Sequence, residues 1–164
     1  GPAGNMVPFQ RGVASHRQLG RAIGGEALKK LQFVPTTDKV SLTALKKEIA
    51  FPAKTKFLSK DHASTEKRDE FIVSEIQAVK IGDIVLLGLP GEVLVELGLE
   101  IRQKAALDNL IIISLSNDAI GYVCHGWAYE QGGYEPGPGT HLAKGAGQIM
   151  VAEALDILAE IRQQ

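Results

Sequence analysis

The sequence has little of several features that would point to a particular class of protein. Its single cysteine, Cys124, excludes an internal disulfide and a metal site built from several cysteines. No apolar run approaches the roughly 20 residues that a membrane-spanning helix needs, so no transmembrane segment is predicted. The net charge is -1, which gives no electrostatic reason to expect nucleic acid as a partner. The lone cysteine does not settle the compartment, although a cytoplasmic location is slightly favoured over secretion.

The remaining composition is ordinary for a globular protein. Hydrophobic residues make up 45% and charged residues 23% of the 164 residues, enough for one domain with a real core. The first eight residues, GPAGNMVP, are typical of a loop and not of the first strand or helix of a domain. We therefore expect the chain to be part of a longer polypeptide.

The spacing of apolar residues divides the chain into helices and strands. Apolar residues recur at intervals of three and four positions in three segments, which predicts helices over 12–32, 92–106 and 144–162. Strands are predicted over 39–51, 71–81, 84–89 and 109–115.

The connections between these elements predict the topology. Gly82-Asp83 is a two-residue turn that joins two strands in a hairpin, and residues 39–51, with no cleanly apolar face, suit an edge strand. The strand, helix and strand of 84–115 predict a right-handed crossover and a parallel pair. The polar stretch 54–70 is predicted to be a solvated loop or a short surface helix. We therefore expect an α/β fold, a three-layer αβα arrangement with a mixed sheet.

One carboxylate stands at a notable position in this pattern. Residues 84–89 are almost wholly apolar and predict a strand buried on both faces. Pro90-Gly91 ends the strand, and Glu92 begins the predicted helix. Ligands of open α/β sheets usually bind where a strand ends and a helix begins. The alternative is an acidic residue that simply lies in the first helical turn, where the helix dipole favours it.

The loop 121–140 holds the only tryptophan and all three tyrosines. A tyrosine hydroxyl donates hydrogen bonds to a developing oxyanion, and a phenolate binds metals. Alternatively, these aromatic side chains cover the edge of the sheet and their hydroxyls bond the backbone. Cys124 and His125 are neighbours on an extended chain and point to opposite faces, so we expect a buried thiol and no catalytic dyad.

Three segments resemble the catalytic domain of the neutral/alkaline non-lysosomal ceramidases and their bacterial relatives. They are Gly4-Asn5-Met6-Val7-Pro8, then Leu89-Pro90-Gly91-Glu92, and then Gly121-Tyr122-Val123 continuing through Ala128-Tyr129-Glu130 to Gly132-Gly133-Tyr134-Glu135. Their order and the final helix also fit. The resemblance implies that residues 1–164 are the C-terminal part of a ceramidase-like catalytic domain.

Ceramidases are zinc-dependent amidases that cleave the N-acyl bond of ceramide. The resemblance implies that Glu92 and Tyr122 are zinc ligands, joined by two histidines from the missing N-terminal half of the domain. A second tyrosine, beside the substrate carbonyl in the family, corresponds to Tyr134, twelve residues after Tyr122. The implied substrate is a small amide or lipid-like molecule, and this fragment alone is expected to be inactive.

Two departures from the family pattern concern catalysis. This chain has Val7 where the ceramidases have a serine, and Asn5 where they have an aspartate. His16 and His62 follow the first motif, whereas the family's histidine ligands precede it. Three hypotheses therefore remain: a zinc-dependent hydrolase, a non-catalytic relative or ligand-binding module with the same fold, and an unrelated α/β interaction module.

Overall fold

The computed structural model describes residues 12–54 and 71–164. The chain forms two compact units that divide between Val40 and Ser41. The described part of the first unit contains helix α1 (Val13–Leu31), which confirms the helix predicted over 12–32. The interpretations placed on Val7 and on His62 lie outside the described residues.

The second unit contains the remaining elements. Its main sheet has the strand order β1-β2-β3-β5, in which β1, β2 and β3 are antiparallel and β3 and β5 are parallel. This confirms the predicted α/β class and mixed sheet. The elements are β1 (Leu42–Pro52), β2 (Phe71–Ile81), β3 (Ile84–Gly88), β4 (Glu92–Val93), α2 (Val95–Ala105), β5 (Leu110–Ile113), β6 (Tyr122–Val123), α3 (Ala128–Gln131) and α4 (Ala146–Arg162).

The predicted connections are present. Gly82 has a φ of 56° in the two-residue turn between β2 and β3, a backbone conformation that glycine adopts without steric cost. β1 lies at an edge of the sheet, as predicted for residues 39–51. Strand β3, helix α2 and strand β5 form the predicted crossover with a parallel pair. Among the described helices, none is long and apolar enough to cross a membrane.

The core lies between one face of the sheet and the helices α2 and α4. Helix α4 contacts β1, β2 and α2. The buried side chains on the sheet alternate along each strand, as the pleat requires, and include Phe51, Ile76, Leu87 and Ile112. Within the described part of this unit the long helices cover this one face, so the third layer of the αβα arrangement stays a prediction.

The prediction that residues 84–89 form a strand buried on both faces is wrong for the described structure. Val85 and Leu87 are buried, but Ile84, on the opposite face, is 44% exposed. The second apolar strand shows the same pattern, with Ile111 exposed and Ile112 buried. The sequence places apolar side chains on both faces, while α2 and α4 cover only one.

The predicted start of helix 92–106 is also wrong. Glu92 lies in strand β4, and α2 begins at Val95 with Glu96 as the acid of its first turn. The helix-dipole explanation of Glu92 therefore does not hold. Residues 92 and 93 pair with β6, so the helix begins at Val95 and not at Glu92.

Ile112 and Ile111 offer a matched test of the one-sided core. Ile112→Ala should lower the free energy of unfolding by about 2–5 kcal/mol, because it leaves a cavity under the helices. Ile111→Ala, on the exposed face, should cost about 1 kcal/mol or less. Urea unfolding of this 164-residue chain measures both; equal losses would show that the outer face is as tightly packed as the inner one.

Candidate active site

The short parallel pair of β4 and β6 places Glu92 beside Tyr122. The two residues are register partners, as are Val93 and Val123. Neighbouring strands lie about 4.8 Å apart, so the two side chains emerge side by side. Val93 and Val123 are fully buried, whereas Glu92 and Tyr122 are each partly exposed. The valines anchor the pair in the core, and the carboxylate and the phenol project from its other face.

Backbone hydrogen bonds hold this pair in register. The amide of Glu92 donates to the carbonyl of Gly121 over 2.9 Å, and the amide of Leu94 donates to the carbonyl of Val123 over 3.1 Å. The amide of Tyr122 donates to the carbonyl of Gly139 over 3.1 Å. Tyr122 is thus connected both to the Glu92 strand and to the end of the aromatic loop.

The side chains of Glu92 and Tyr122 interact through a hydrogen bond. The Tyr122 hydroxyl donates a hydrogen bond to the Glu92 carboxylate, which raises the pKa of Tyr122 above its ordinary value. Burial and the negative charge of Glu92 raise this pKa further, because each disfavours the phenolate. A phenol and a carboxylate from distant parts of the sequence therefore interact directly.

The close approach of β4 to β6 depends on Gly91. Its φ is 72°, and a Cβ atom at this position would lie 2.5 Å from the Gly121 carbonyl oxygen and 2.8 Å from Cγ1 of Ile120. Only glycine both adopts this backbone conformation and leaves room for the neighbouring segment. The Pro-Gly of the motif thus does more than end a strand, because it brings Glu92 to Tyr122.

Tyr134 lies beside Tyr122. The ring centroids are 6.2 Å apart and the ring planes meet at 81°, the edge-to-face geometry that aromatic pairs prefer. Tyr134 is 63% exposed, so its hydroxyl is accessible to a substrate. The structure therefore brings together the three residues that the resemblance implied: Glu92, Tyr122 and Tyr134.

Gly139 fits closely between the two tyrosines. A Cβ atom there would lie 2.9 Å from Cδ2 of Tyr122 and 3.1 Å from Cε1 of Tyr134. Its amide donates to the carbonyl of Tyr134 over 2.8 Å. The geometry of the tyrosine pair therefore depends on the turn formed by residues 134–139.

Tyr129 bonds the backbone through its hydroxyl, as the second interpretation of the aromatic loop predicts. Its hydroxyl donates to the carbonyls of Leu142 and Ala143 at 3.1 and 3.3 Å. Burial raises the pKa of Tyr129 to about 12. The backbone-bonding interpretation is therefore confirmed for Tyr129, and the functional interpretation stays a prediction for Tyr122 and Tyr134.

Cys124 and His125 do not form a dyad. Cys124 is fully buried, and burial raises the pKa of its thiol to about 11, which suits an unreactive thiol. Nε2 of His125 lies 3.7 Å from Oε2 of Glu100, and its ring lies 5.7 Å from that of Trp127. This confirms the prediction of a buried thiol.

Sequence reasoning missed Lys54. It begins the polar stretch 54–70 that was predicted to be a solvated loop, yet it is partly buried. Its ammonium group donates to the carbonyls of Pro136 and Gly137, and it lies 5.4 Å from the centroid of the Tyr129 ring. Burial lowers the pKa of Lys54. No local signal could identify it, since its partners are far away in the chain.

Glu92 and Tyr122 have the donor chemistry of two metal ligands, but a zinc site takes about four. Over residues 12–54 and 71–164, no cluster of three or more histidine, cysteine or acidic side chains is placed to hold a metal ion. His16 lies on α1 and is exposed. The two adjacent oxygen donors are therefore fewer than the ligands that a zinc site takes.

Comparison with solved structures identifies the fold. The crystal structure of neutral ceramidase from Pseudomonas aeruginosa superposes with a TM-score of 0.66 over 98% of this chain, at 16% sequence identity. This chain has the fold of part of a neutral ceramidase. A ceramidase described as complexed with C2 superposes over 56% of the chain, with a TM-score of 0.50 and 24% identity, and the match covers 15% of its own chain. The chain spans 35% of the length of the Pseudomonas ceramidase structure.

These matches confirm the predicted ceramidase-like relation at the level of the fold. No protein-family profile and no curated protein sequence matches the chain. The likeness therefore appears in three-dimensional structure and in short motifs rather than in overall sequence.

Substituting Gly91 tests whether the site depends on close packing. Gly91→Ala should lower the free energy of unfolding by about 2–4 kcal/mol, because it combines an unfavourable φ with a backbone clash. The control is Gly145→Ala, where φ is 104° but nothing lies within 4 Å of the new Cβ atom. It should cost about 1–2 kcal/mol. Guanidinium unfolding measures both, and equal costs would contradict the importance of the close approach.

Proposed function

We propose that this chain is the later part of a zinc-dependent hydrolase that cleaves an N-acyl amide bond, as ceramidases do. The observation that carries the proposal is the register pairing of Glu92 with Tyr122, with Tyr134 packed against Tyr122. The ceramidase fold supports it, because these are the positions that the motifs of that family assign to the site.

Glu92 and Tyr122 are the proposed zinc ligands supplied by this chain. They are register partners on β4 and β6, so a cation between them would be bound by two hard, adjacent oxygen donors. Two histidines from the N-terminal half of the domain complete the proposed donor set. Zinc, when bound, would polarise the scissile carbonyl and activate the attacking water.

Tyr134 is the proposed catalytic residue. Its exposed phenol lies next to the ligand pair and can donate a hydrogen bond to the oxyanion that develops on the scissile carbonyl. Tyr122 and Gly139 hold the Tyr134 ring from one side, which limits the rotation of the side chain. Attack by an activated water does not require a serine hydroxyl, so Val7 is compatible with hydrolysis.

The exposed face of the sheet is the proposed contact surface for the rest of the domain. It carries a set of exposed apolar side chains that includes Val73, Ile84, Ile111 and Ile113. Exposed apolar patches of this kind usually mark an interaction surface. A chain that spans 35% of a ceramidase is expected to lack part of the layer that covers its sheet. The substrate is proposed to be a small amide or lipid-like molecule.

The full-length protein provides the test of this function. Tyr134→Phe should lower the turnover of an N-acyl amide substrate by about 10²–10³-fold with unchanged zinc content, because one oxyanion donor is lost. Glu92→Gln should lower both the zinc content and the rate. Zinc is measured by elemental analysis of the purified protein, and turnover by release of the fatty acid.

Two substitutions serve as controls. Glu160→Gln changes an exposed carboxylate on α4, and Tyr129→Phe removes a hydroxyl that donates to the backbone carbonyls of Leu142 and Ala143. Both should keep the wild-type zinc content and rate within a few-fold, although Tyr129→Phe should cost about 1 kcal/mol of stability. If zinc and turnover are unchanged in both Glu92→Gln and Tyr134→Phe, the proposed function is wrong.

The second candidate is a non-catalytic relative or ligand-binding module, which Val7 favours. Valine neither attacks a carbonyl nor polarises it, so a protein of this kind would keep the fold and bind zinc without turnover. Robust hydrolysis by the full-length protein that disappears when a chelator removes the metal would exclude this candidate.

A further inference from the structure

We propose that Lys54 is a positioning residue that holds the turn 134–139 and thereby fixes Tyr134 against Tyr122. The effect of Lys54 on the rate rests on the proposed function, whereas its effect on the turn does not. Lys54 belongs to none of the motifs that carry the ceramidase resemblance.

The backbone of Lys54 is fixed at the end of β1. Its amide donates to the carbonyl of His141 over 2.8 Å, and the amide of Ala143 donates to the carbonyl of Pro52 over 2.8 Å. An isolated bridge between Ala53 and Leu142 lies between these two bonds. The backbone from which the side chain extends is therefore held by hydrogen bonds to residues 141–143.

The ammonium group of Lys54 binds two successive carbonyls of the turn. Nζ lies 2.6 Å from the carbonyl oxygen of Pro136 and 2.7 Å from that of Gly137. Bonds from a charged donor at these distances are short and strong. Because one ammonium group binds both carbonyls, it restricts the backbone conformation between Pro136 and Gly137.

The turn transmits this constraint to the tyrosines. The amide of Gly139 donates to the carbonyl of Tyr134 at the start of the turn. The carbonyl of Gly139 accepts a hydrogen bond from the amide of Tyr122. Gly137 packs so closely against the Gly133 carbonyl that a side chain has no space there. Loss of the ammonium group would leave two carbonyls without their donor and allow the turn to open.

The conformation of the turn is important because the proposed catalysis needs the Tyr134 hydroxyl at a fixed position. Tyr134 is largely exposed, so packing alone restrains it only on the side of Tyr122. A displacement of about 1 Å at a catalytic group can cost about 10²-fold in rate. Lys54 would reduce this displacement before the substrate arrives, without contacting the substrate or the metal.

Lys54→Met, Lys54→Arg and Lys47→Met form the matched set of variants. Methionine keeps an unbranched side chain and removes the donors, while arginine keeps the charge and several donors. Lys47 lies on β1 and pairs with Glu153 and Asp156 of α4. Its substitution removes the same kind of group at a place that does not contact the turn.

Amide hydrogen exchange tests the effect on the turn. Lys54→Met should accelerate exchange of the Gly139 and Tyr122 amides by about tenfold or more and leave the four-stranded sheet unchanged, since only the turn opens. Lys54→Arg should restore part of the protection, and Lys47→Met should leave both amides as in the wild type. Unchanged exchange at both amides in Lys54→Met, or equal acceleration throughout the sheet, would overturn the proposal.

Steady-state kinetics of the full-length protein tests the effect on catalysis. Lys54→Met should lower kcat by about tenfold with unchanged zinc content and a smaller change in KM. If exchange accelerates but kcat is unchanged, Lys54 holds the turn and is not a positioning residue. If the wild type has no turnover, the proposed function fails while the exchange experiment still decides whether Lys54 holds the turn.

Discussion

The candidate site depends on a pairing between two strands of two residues each. β4 and β6 are joined by backbone hydrogen bonds and anchored by two fully buried valines, Val93 and Val123. This pairing requires a glycine at position 91, because any side chain there would meet the Gly121 carbonyl. Because the strands are parallel and in register, the carboxylate of Glu92 and the phenol of Tyr122 emerge together. The site is thus a direct consequence of a backbone contact.

The core of the second unit lies on one face of its main sheet. Helices α2 and α4 bury one face of the main sheet, and the opposite face keeps apolar side chains exposed. Burial of this exposed apolar face against another part of a protein would be favourable, since the burial of apolar surface is the main favourable term in folding. The fold corresponds to 35% of the length of the Pseudomonas aeruginosa ceramidase structure, and the exposed apolar face is the surface proposed to contact the rest of a larger domain.

The three tyrosines of the aromatic loop make different contacts. Tyr129 uses its hydroxyl to bond the backbone before α4, while Tyr122 and Tyr134 meet at the exposed end of β6. Lys54 lies between these groups, with its ammonium on the turn and its charge over the Tyr129 ring. One loop therefore contains both a tyrosine bonded to the backbone and a pair of tyrosines packed edge to face.

The sequence by itself determined the elements whose signals are local. The helical spacing of α1 and α4, the Gly82 turn and the β3-α2-β5 crossover were predicted, because each depends on residues close together in the chain. The motifs also predicted Glu92, Tyr122 and Tyr134 as site residues, and the structure places these three side chains together. The tertiary structure decided what depends on distant residues: that Glu92 lies in a strand, which face of each apolar strand is buried, and that Lys54 binds the turn. A strand of two residues has no periodicity, and its existence is decided only by the partner that folding brings to it.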